Sequence, residues 1–485
     1  MGSKSSNTSI EDFLTPTFQI IQGGMGVGIS DWVLANIVCR QNELGVVSGT
    51  ALDGLLIRRL QRGDPGGHMR RAMEKFPVPE IADNVYEKYF VLGGKPENKP
   101  FTRQGMFRIN NSKDLLNLTV LANFVEVYLA KEGHNNPVGI NYLEKIQMPH
   151  LSSIYGAMLA DVDYVLMGAG IPRQIPGILD SYVKHQATSY KVDVKSSKFA
   201  DSIETHFDPK KIVGKINEDL KRPEFLAIIS SNTLANSLIA KCSGKVNGFV
   251  IELHPAGGHN AAPRGKYPVN DKGEPIYGVR DEVDFEKIKD LGLPFWLAGG
   301  YGSPEGLKKA RSLGAQGIQV GTLFFLSDES GLYTPIKREV LKNIRENGVD
   351  VLTDKIASPT GFPFKVVSLA GTNSEEEVYK SRKRVCDVGY LRTAYRKDDG
   401  NIGYRCPSEP EKTFLKKGGK EEDMLGRKCL CNGLIANLGL GQLQKHGEIE
   451  RPLLTGGDDI NKVKILLNSE KDSYSAVEVI NYLRS

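Results

Sequence analysis

Short apolar segments alternate with amphipathic helical segments between about residue 18 and residue 326. Each apolar segment is almost continuously hydrophobic, a pattern that indicates strands buried on both faces of a parallel sheet. Eight such segments occur, at residues 18–22, 44–49, 136–143, 162–170, 224–230, 246–253, 293–300 and 315–322. Because eight parallel strands close a (β/α)8 barrel, the pattern predicts an α/β fold of the TIM-barrel type.

An open, doubly wound sheet is the competing α/β architecture, and it should carry a recognisable phosphate-binding turn. The chain contains neither G-x-G-x-x-G nor G-x-x-x-x-G-K-[ST]. We therefore favour the barrel over the open sheet.

Two long regions exceed what a minimal barrel needs. The residues from about 53 to 130 are charged and helical in pattern, and residues 331–485 follow the last predicted strand. We predict a disordered leader at 1–15, a barrel at 16–330 with a helical excursion at about 53–130, and a C-terminal helical or cap region at 331–485. Two polar, turn-rich segments, 191–202 and 263–281, are predicted to be loops.

The chain has 485 residues and a formal net charge of +5, from 63 Lys and Arg against 58 Asp and Glu. This even balance argues against a dedicated nucleic-acid-binding protein, in which basic residues concentrate on one face. The apolar runs are too short for a membrane span. Six cysteines in a chain of this length do not make a disulfide scaffold. We therefore expect a reducing, cytoplasmic setting.

The N-terminus lacks the apolar segment of a secretory signal. Gly2 and Ser6 match the pattern for N-myristoylation. Such short patterns occur often by chance, so the sequence leaves open whether Gly2 is modified.

Two glycine-rich turns follow the last two predicted strands, in the segments LAGG (297–300) and QVGT (319–322). In TIM barrels, the loops after strands seven and eight commonly bind a phosphate through backbone N–H groups. Gly299 and Gly300 allow close approach of the backbone, and Gly321 and Thr322 supply N–H groups and a hydroxyl. The two turns predict a phosphate site, against the alternative of glycine-ended turns without a ligand.

A histidine follows another predicted strand in the segment IELHPAGGHN (251–260). Gly257 and Gly258 precede His259, which we expect at the same rim of the barrel. An imidazole there is suited to act as a general base or hydrogen-bond donor. A satisfied structural histidine is the alternative.

The first predicted strand ends in the turn GGMGVG, and another ends at Asn141. Met25 and its neighbouring glycines offer apolar and backbone contacts, and the Asn141 amide can both donate and accept hydrogen bonds. These groups suit the edge of a heterocyclic ligand, whereas a turn-stabilising asparagine is the alternative.

Taken together, these motifs resemble the nitronate monooxygenase (2-nitropropane dioxygenase) family of FMN-dependent TIM barrels, over roughly residues 16–330. The tail and the length are similar to the long branch of the family that includes the trans-acting enoyl reductases of polyunsaturated-fatty-acid and polyketide synthases. The resemblance implies bound FMN and a catalytic role for His259. The cofactor-binding positions that it implies are Gly24, Met25, Gly26, Asn141, Ser230, Gly257, Gly258, Gly299, Gly300, Gly321 and Thr322.

Two activities follow from the resemblance. The first is oxidation of alkyl nitronates with O₂, and the alternative is reduction of an enoyl thioester, for which an acyl carrier protein is a candidate partner. A barrel that has lost its flavin and serves as a scaffold is a third hypothesis, disfavoured because the phosphate turns and the histidine are present. The sequence names neither the true substrate, nor the electron donor, nor the oligomeric state.

Two further groups of residues carry candidate chemistry. The loop at 263–281 contains Arg264, Tyr277 and Arg280, which we expect near the rim, where an arginine would favour an anionic substrate. The tail holds four cysteines whose spacing is not that of a standard metal site, so no metal is predicted and the question is left open. These cysteines are Cys386, Cys406, Cys429 and Cys431.

Overall fold

The computed structural model describes residues 16–195, 201–445, 447–467 and 472–485. The predicted leader at 1–15, with Gly2, lies outside these residues. The strands are β1 (Ile20–Gln22), β2 (Leu44–Ser48), β3 (Val138–Leu143), β4 (Tyr164–Gly168), β5 (Thr188–Lys195), β6 (Asp201–Phe207), β7 (Glu224–Ile229), β8 (Gly248–Glu252), β9 (Phe295–Ala298), β10 (Gly317–Val320), β11 (Val351–Asp354), β12 (Phe364–Val367), β13 (Thr393–Arg396) and β14 (Ile402–Arg405).

Helices separate most of the strands. They are α1 (Trp32–Cys39), α2 (Leu52–Gln61), α3 (His68–Met73), α4 (Pro79–Tyr89), α5 (Lys113–Lys131), α6 (His150–Leu159), α7 (Ile175–Val183), α8 (Pro209–Ile212), α9 (Asn232–Lys241), α10 (Phe285–Lys289), α11 (Pro304–Ser312), α12 (Thr322–Phe325), α13 (Thr334–Glu346), α14 (Glu376–Ser381), α15 (Glu411–Lys416), α16 (Leu430–Ala436) and α17 (Ala476–Arg484). Short 3-10 helices lie at Pro65–Gly67, Val279–Asp281, Glu421–Met424 and Ile460–Leu466.

Eight parallel strands close a barrel in the order β1-β10-β9-β8-β7-β4-β3-β2. All eight strands predicted from the apolar segments form it, so the predicted TIM-barrel fold is confirmed. The ring closes where β1 pairs with both β10 and β2, with Ile20 opposite Ile318 and Ile21 opposite Leu44. Because the strands run in parallel, their carboxyl ends meet at one rim.

The interior of the barrel is filled by apolar side chains. Phe18 stacks on the fully buried ring of Trp296, with the ring centroids 5.1 Å apart. Ile21, Val46 and Val250 pack around this pair. Since side chains alternate between the two faces of a strand, the strand residues two positions further on face the mouth above this layer.

The predicted helical excursion is confirmed as helices α2 to α5, which lie between β2 and β3 and pack on one another. The region after residue 330 contains the strands β11 to β14 as well as helices. Its last helix, α17, packs against α1, α11 and α12. The C-terminal end of the described chain therefore contributes to the helical layer around the barrel.

The prediction of a loop at 191–202 is wrong for the residues that the structure describes there. β5 and β6 form an antiparallel pair, and β13 and β14 extend it to a sheet in the order β14-β13-β5-β6. In β5 the side chains alternate between buried and exposed positions, as in Tyr190, Val192 and Val194. That alternation is the signal for a strand with one solvated face, and the polar composition obscured it. The segment 263–281 is a loop with one 3-10 turn, as predicted.

The described residues contain no helix that is both long enough and apolar enough to cross a membrane.

Trp296→Ala should lower the free energy of unfolding by about 3–5 kcal/mol, because the variant leaves a cavity inside the barrel. Denaturant unfolding followed by circular dichroism measures the loss. The matched control is Trp32→Ala, which removes the chain's other tryptophan from a partly exposed position. Equal losses in the two variants would contradict a barrel interior built around Trp296.

Candidate functional site

A cavity of about 890 Å³, including its open mouth, lies at the carboxyl ends of the barrel strands. Its walls come from the turns after β1, β8, β9 and β10 and from a distant C-terminal segment. The lining residues that were predicted as cofactor-binding are Gly24, Met25, Gly26, Gly257, Gly258, Gly299, Gly300, Gly321 and Thr322. The structure thus brings nine predicted positions from four separate turns to one cavity.

The close approach of these turns requires glycine at Gly299. Its φ is +86°, and a Cβ there would lie 2.6 Å from the carbonyl oxygen of Leu253. The turn after β9 is thereby pressed against the turn after β8. Gly300 follows with a φ of +87°, and a Cβ there would meet the side chain of Pro255 at 3.9 Å, an ordinary contact distance. Gly300 also lines the cavity.

The C-terminal segment 455–459, with the sequence TGGDD, forms one wall of the same cavity. The Oγ1 of Thr455 accepts a hydrogen bond from the N–H of Gly258 at 2.9 Å. The N–H of Gly457 donates to the Oγ1 of Thr322 at 3.2 Å. Sequence reasoning missed this segment, although its paired glycines followed by two acidic residues gave a local signal of a turn.

A smaller cleft adjoins the main cavity and contains three further predicted residues, Ser230, Arg264 and Tyr277. Arg264 donates from Nη2 to the carbonyl oxygen of Ser230 at 3.3 Å, and the Tyr277 hydroxyl donates to the carbonyl oxygen of Ala261 at 2.9 Å. Arg280 is exposed and does not line this cleft. The loop 263–281 therefore folds back over the cleft with Arg264 and Tyr277, as its position after β8 suggested.

Glu252 lines both the main cavity and the smaller cleft. It is the last residue of β8 and pairs in register with Ala298 of β9. Burial raises the pKa of its carboxyl group to about 8. Sequence reasoning missed Glu252, although an acidic residue that ends a buried apolar strand is an unusual feature.

His259 lines neither the main cavity nor the smaller cleft. Its Nε2 lies 2.7 Å from the Oγ of Ser358, and its ring packs edge-on against Phe364. Burial lowers its pKa to about 4. The ring was expected to point into the mouth of the barrel, but the backbone at His259 pairs with Phe364 of the C-terminal region instead. Its catalytic role stays a prediction.

Asn141 and Gln319 occupy the layer just below the mouth. The Asn141 side chain packs on Gly24, where a Cβ would lie 2.5 Å from its Oδ1, and Asn141 is not among the cavity-lining residues. Gln319, which was not predicted, does line the cavity, and its buried Oε1 has no hydrogen-bond partner within the described residues. A ligand N–H group could supply that missing donor.

The four tail cysteines line one small, separate cavity. Burial raises the pKa of each thiol, so all four are protonated and uncharged at neutral pH. Across the ranges that the structure describes, no three or more His, Cys, Asp or Glu side chains are arranged to hold a metal ion.

The fold and the main cavity together define a (β/α)8 barrel with a cavity at the carboxyl ends of its strands, where TIM barrels commonly bind their ligands. Residues 165–359 match the family model for nitronate monooxygenase. The resemblance that the motifs indicate is therefore confirmed for this part of the chain.

Two curated relatives share part of the sequence. The probable nitronate monooxygenase of Staphylococcus haemolyticus (strain JCSC1435) is 30% identical over 146 residues, which are 30% of this chain and 39% of that protein. The probable nitronate monooxygenase of Bacillus subtilis (strain 168) is 30% identical over 125 residues, 26% of this chain and 34% of that protein. The chain thus matches less than two fifths of the length of either relative. Among solved structures, FabK from Thermotoga maritima is 15% identical with a TM-score of 0.45, over 96% of this chain and 91% of that chain.

Thr455→Val should free the wall formed by segment 455–459, because valine keeps the shape of threonine but cannot accept the N–H of Gly258. We expect a loss of about 1 kcal/mol in the free energy of unfolding and faster hydrogen exchange at the Gly258 amide. Thr102→Val, at an exposed position, is the control. Unchanged exchange at Gly258 would show that the hydrogen bond does not hold the wall in place.

Proposed function

We propose that the protein is an FMN-dependent oxidoreductase that oxidises alkyl nitronates with O₂. The observation that supports this most strongly is the main cavity, whose glycine turns follow the last two barrel strands. The match of residues 165–359 to the nitronate monooxygenase model supports the substrate class. In this proposal a small molecule is the substrate, and an acyl carrier protein is not needed.

The turns after β9 and β10 suit the phosphate of FMN. The backbone N–H groups of Gly300 and Thr322 donate no hydrogen bond within the described part of the chain, and both residues line the cavity. Such N–H groups bind phosphate well when they converge from two turns. Gly299 and Gly321 keep the backbone free of side chains at these turns.

The charged side chains around these turns do not by themselves favour a bound anion. The lining residues include no lysine or arginine, so backbone N–H groups would carry the phosphate. Asp459 also lines the cavity, and burial raises the pKa of its carboxyl group, although a hydrogen bond to Thr322 acts in the opposite direction.

Other residues of the same lining suit a flat heterocycle. Gln319 offers its unpaired Oε1 to a ring N–H, and Met25, Phe325 and Leu434 supply apolar contact. Met25 lies close to Gly321, where a Cβ would be 3.5 Å from its sulfur atom. We assign Gly24, Gly26, Gly257 and Gly258 to the cofactor walls, whereas Asn141 and Ser230 would contact a ligand only beyond the main cavity.

When bound, FMN would supply a ring that accepts electrons from the substrate and passes them to O₂. The chain's own residues would orient the substrate and exclude water from the main cavity and the smaller cleft. Arg264 in the smaller cleft carries a positive charge that suits an anionic nitronate. Tyr277 and the segment 455–459 cover the site from two sides.

Gly300→Asp should abolish flavin binding, because it places a carboxylate where the proposal puts the phosphate, and like charges at short range repel by several kcal/mol. The flavin released by denaturation, measured by fluorescence against protein concentration, gives the occupancy. Gly400→Asp is the matched control, since Gly400 also has a positive φ, of +79°, with open surroundings. Full flavin occupancy in the Gly300→Asp variant would refute the phosphate assignment.

Anaerobic mixing with ethyl nitronate tests the activity itself. The flavin absorbance of the purified protein should bleach without air and return when O₂ is admitted. If nitronates leave the spectrum unchanged, and an enoyl thioester reoxidises the chemically reduced protein faster than buffer does, the enoyl reductase alternative is correct instead. A colourless protein that takes up no FMN would support the scaffold hypothesis.

A further inference from the structure

One acidic side chain separates the two adjoining cavities. Glu252 is the residue common to the linings of the main cavity and of the smaller cleft. Within the described residues its carboxyl group has neither a hydrogen bond nor an ion pair, whereas Glu43, Glu126 and Glu450 each have a partner. A carboxyl group left free at a cavity wall is available to a ligand.

The position of Glu252 follows from the register of the barrel. Val250, two residues earlier on β8, packs in the barrel interior, and so does Ala298, which pairs with Glu252 on β9. Glu252 therefore lies on the inner face of its strand, directly above an apolar layer. This apolar surrounding is the cause of its raised pKa, about 8.

Other titratable groups face Glu252 from both cavities. Tyr301 and Asp459 line the main cavity. The titratable side chains that line the smaller cleft are His254, Arg264, Tyr277 and Asp281. Burial lowers the pKa of His254, and its ring stacks on Tyr277 at a centroid distance of 4.3 Å. Arg264 is thus the residue in these linings that carries a fixed positive charge.

We propose that the smaller cleft binds a neutral nitroalkane and that Glu252 is the base that removes its α-proton beside the cofactor cavity. This inference rests on the proposed function. The C–H bond breaks, its electron pair moves onto the nitro group to form the nitronate, and the proton forms an O–H bond with the Glu252 carboxylate. The proton transfer changes no oxidation state, and the electrons of the resulting anion would go to the FMN and O₂ of the proposed activity.

Arg264 and Glu252 have complementary roles in this proton transfer. Arg264, at the cleft, stabilises the negative charge that develops on the nitro oxygens as the proton leaves. Protonated Glu252 is then neutral and does not repel the anion. A base with a pKa near the operating pH also combines a sizeable ionised fraction with a useful affinity for the proton. His259 is not placed to act as this base, because its ring faces Ser358 and lines neither cavity.

The direct test compares Glu252→Gln with the wild-type holoenzyme on two probes, nitroethane and preformed ethyl nitronate. Glutamine keeps the shape and polarity of the side chain but cannot take up a proton. We expect the variant to retain its flavin and its Tm, to lose about 10²–10⁴-fold in kcat/KM on nitroethane, and to oxidise ethyl nitronate at nearly the wild-type rate. Glu252→Asp should restore part of the nitroethane activity, and Glu286→Gln, on the exposed face of α10, is the control.

The pH profile gives a second readout. The carboxylate is the active form, so wild-type kcat/KM on nitroethane should rise with pH through about 8, when initial rates are taken before the nitroalkane ionises in solution. Glu252→Gln should lack this rise. His259→Asn should keep the rise and the wild-type ratio of the rates on nitroethane and ethyl nitronate, because the His259 ring faces Ser358 and neither cavity.

Three outcomes would overturn the inference while leaving the proposed function intact. They are equal losses on nitroethane and ethyl nitronate in Glu252→Gln, an unchanged pH profile in that variant, or a nitroethane-specific loss in His259→Asn instead. Failure of the proposed function looks different, because the wild-type protein would then bind no flavin or oxidise no nitronate.

Discussion

The closed barrel has to be filled from within, and this constraint determines where a ligand can bind. Phe18, Trp296 and their apolar neighbours pack the interior, and the main cavity lies above them, at the carboxyl ends of the strands. The residues that end the strands are therefore the ones that meet a ligand. In β8, Val250 packs in the barrel interior, and Glu252, two residues later, lines the cavity.

The C-terminal region completes both the fold and the cavity. Arg484, at the end of α17, forms an ion pair with the buried Glu43, whose carboxylate also accepts the N–H groups of Gln19 and Ile20 at the start of β1. The segment 455–459 closes the cavity over the glycine turns. The region after residue 330 thus supplies an ion pair that holds the start of β1 and one wall of the main cavity.

The sequence predicted the barrel well, because buried parallel strands leave a continuous apolar pattern that depends on local residues alone. The glycine turns at Gly299 and Gly321 were predictable for the same reason, since each follows directly on its strand. The wall at 455–459 was not, because more than a hundred residues separate it from the turns that it covers. The direction of the His259 ring likewise depends on a distant partner, Phe364, which no local pattern reveals.

One cavity, built from the strand-end turns and the segment 455–459, is the proposed binding site of FMN. Hydrogen exchange with and without added FMN tests it most directly, because both walls should respond together. The account predicts slower amide exchange at residues 299–302, 321–323 and 455–459 when FMN is bound, with little change around the four tail cysteines. Binding of FMN without protection of 455–459, or protection centred on another part of the chain, would contradict it.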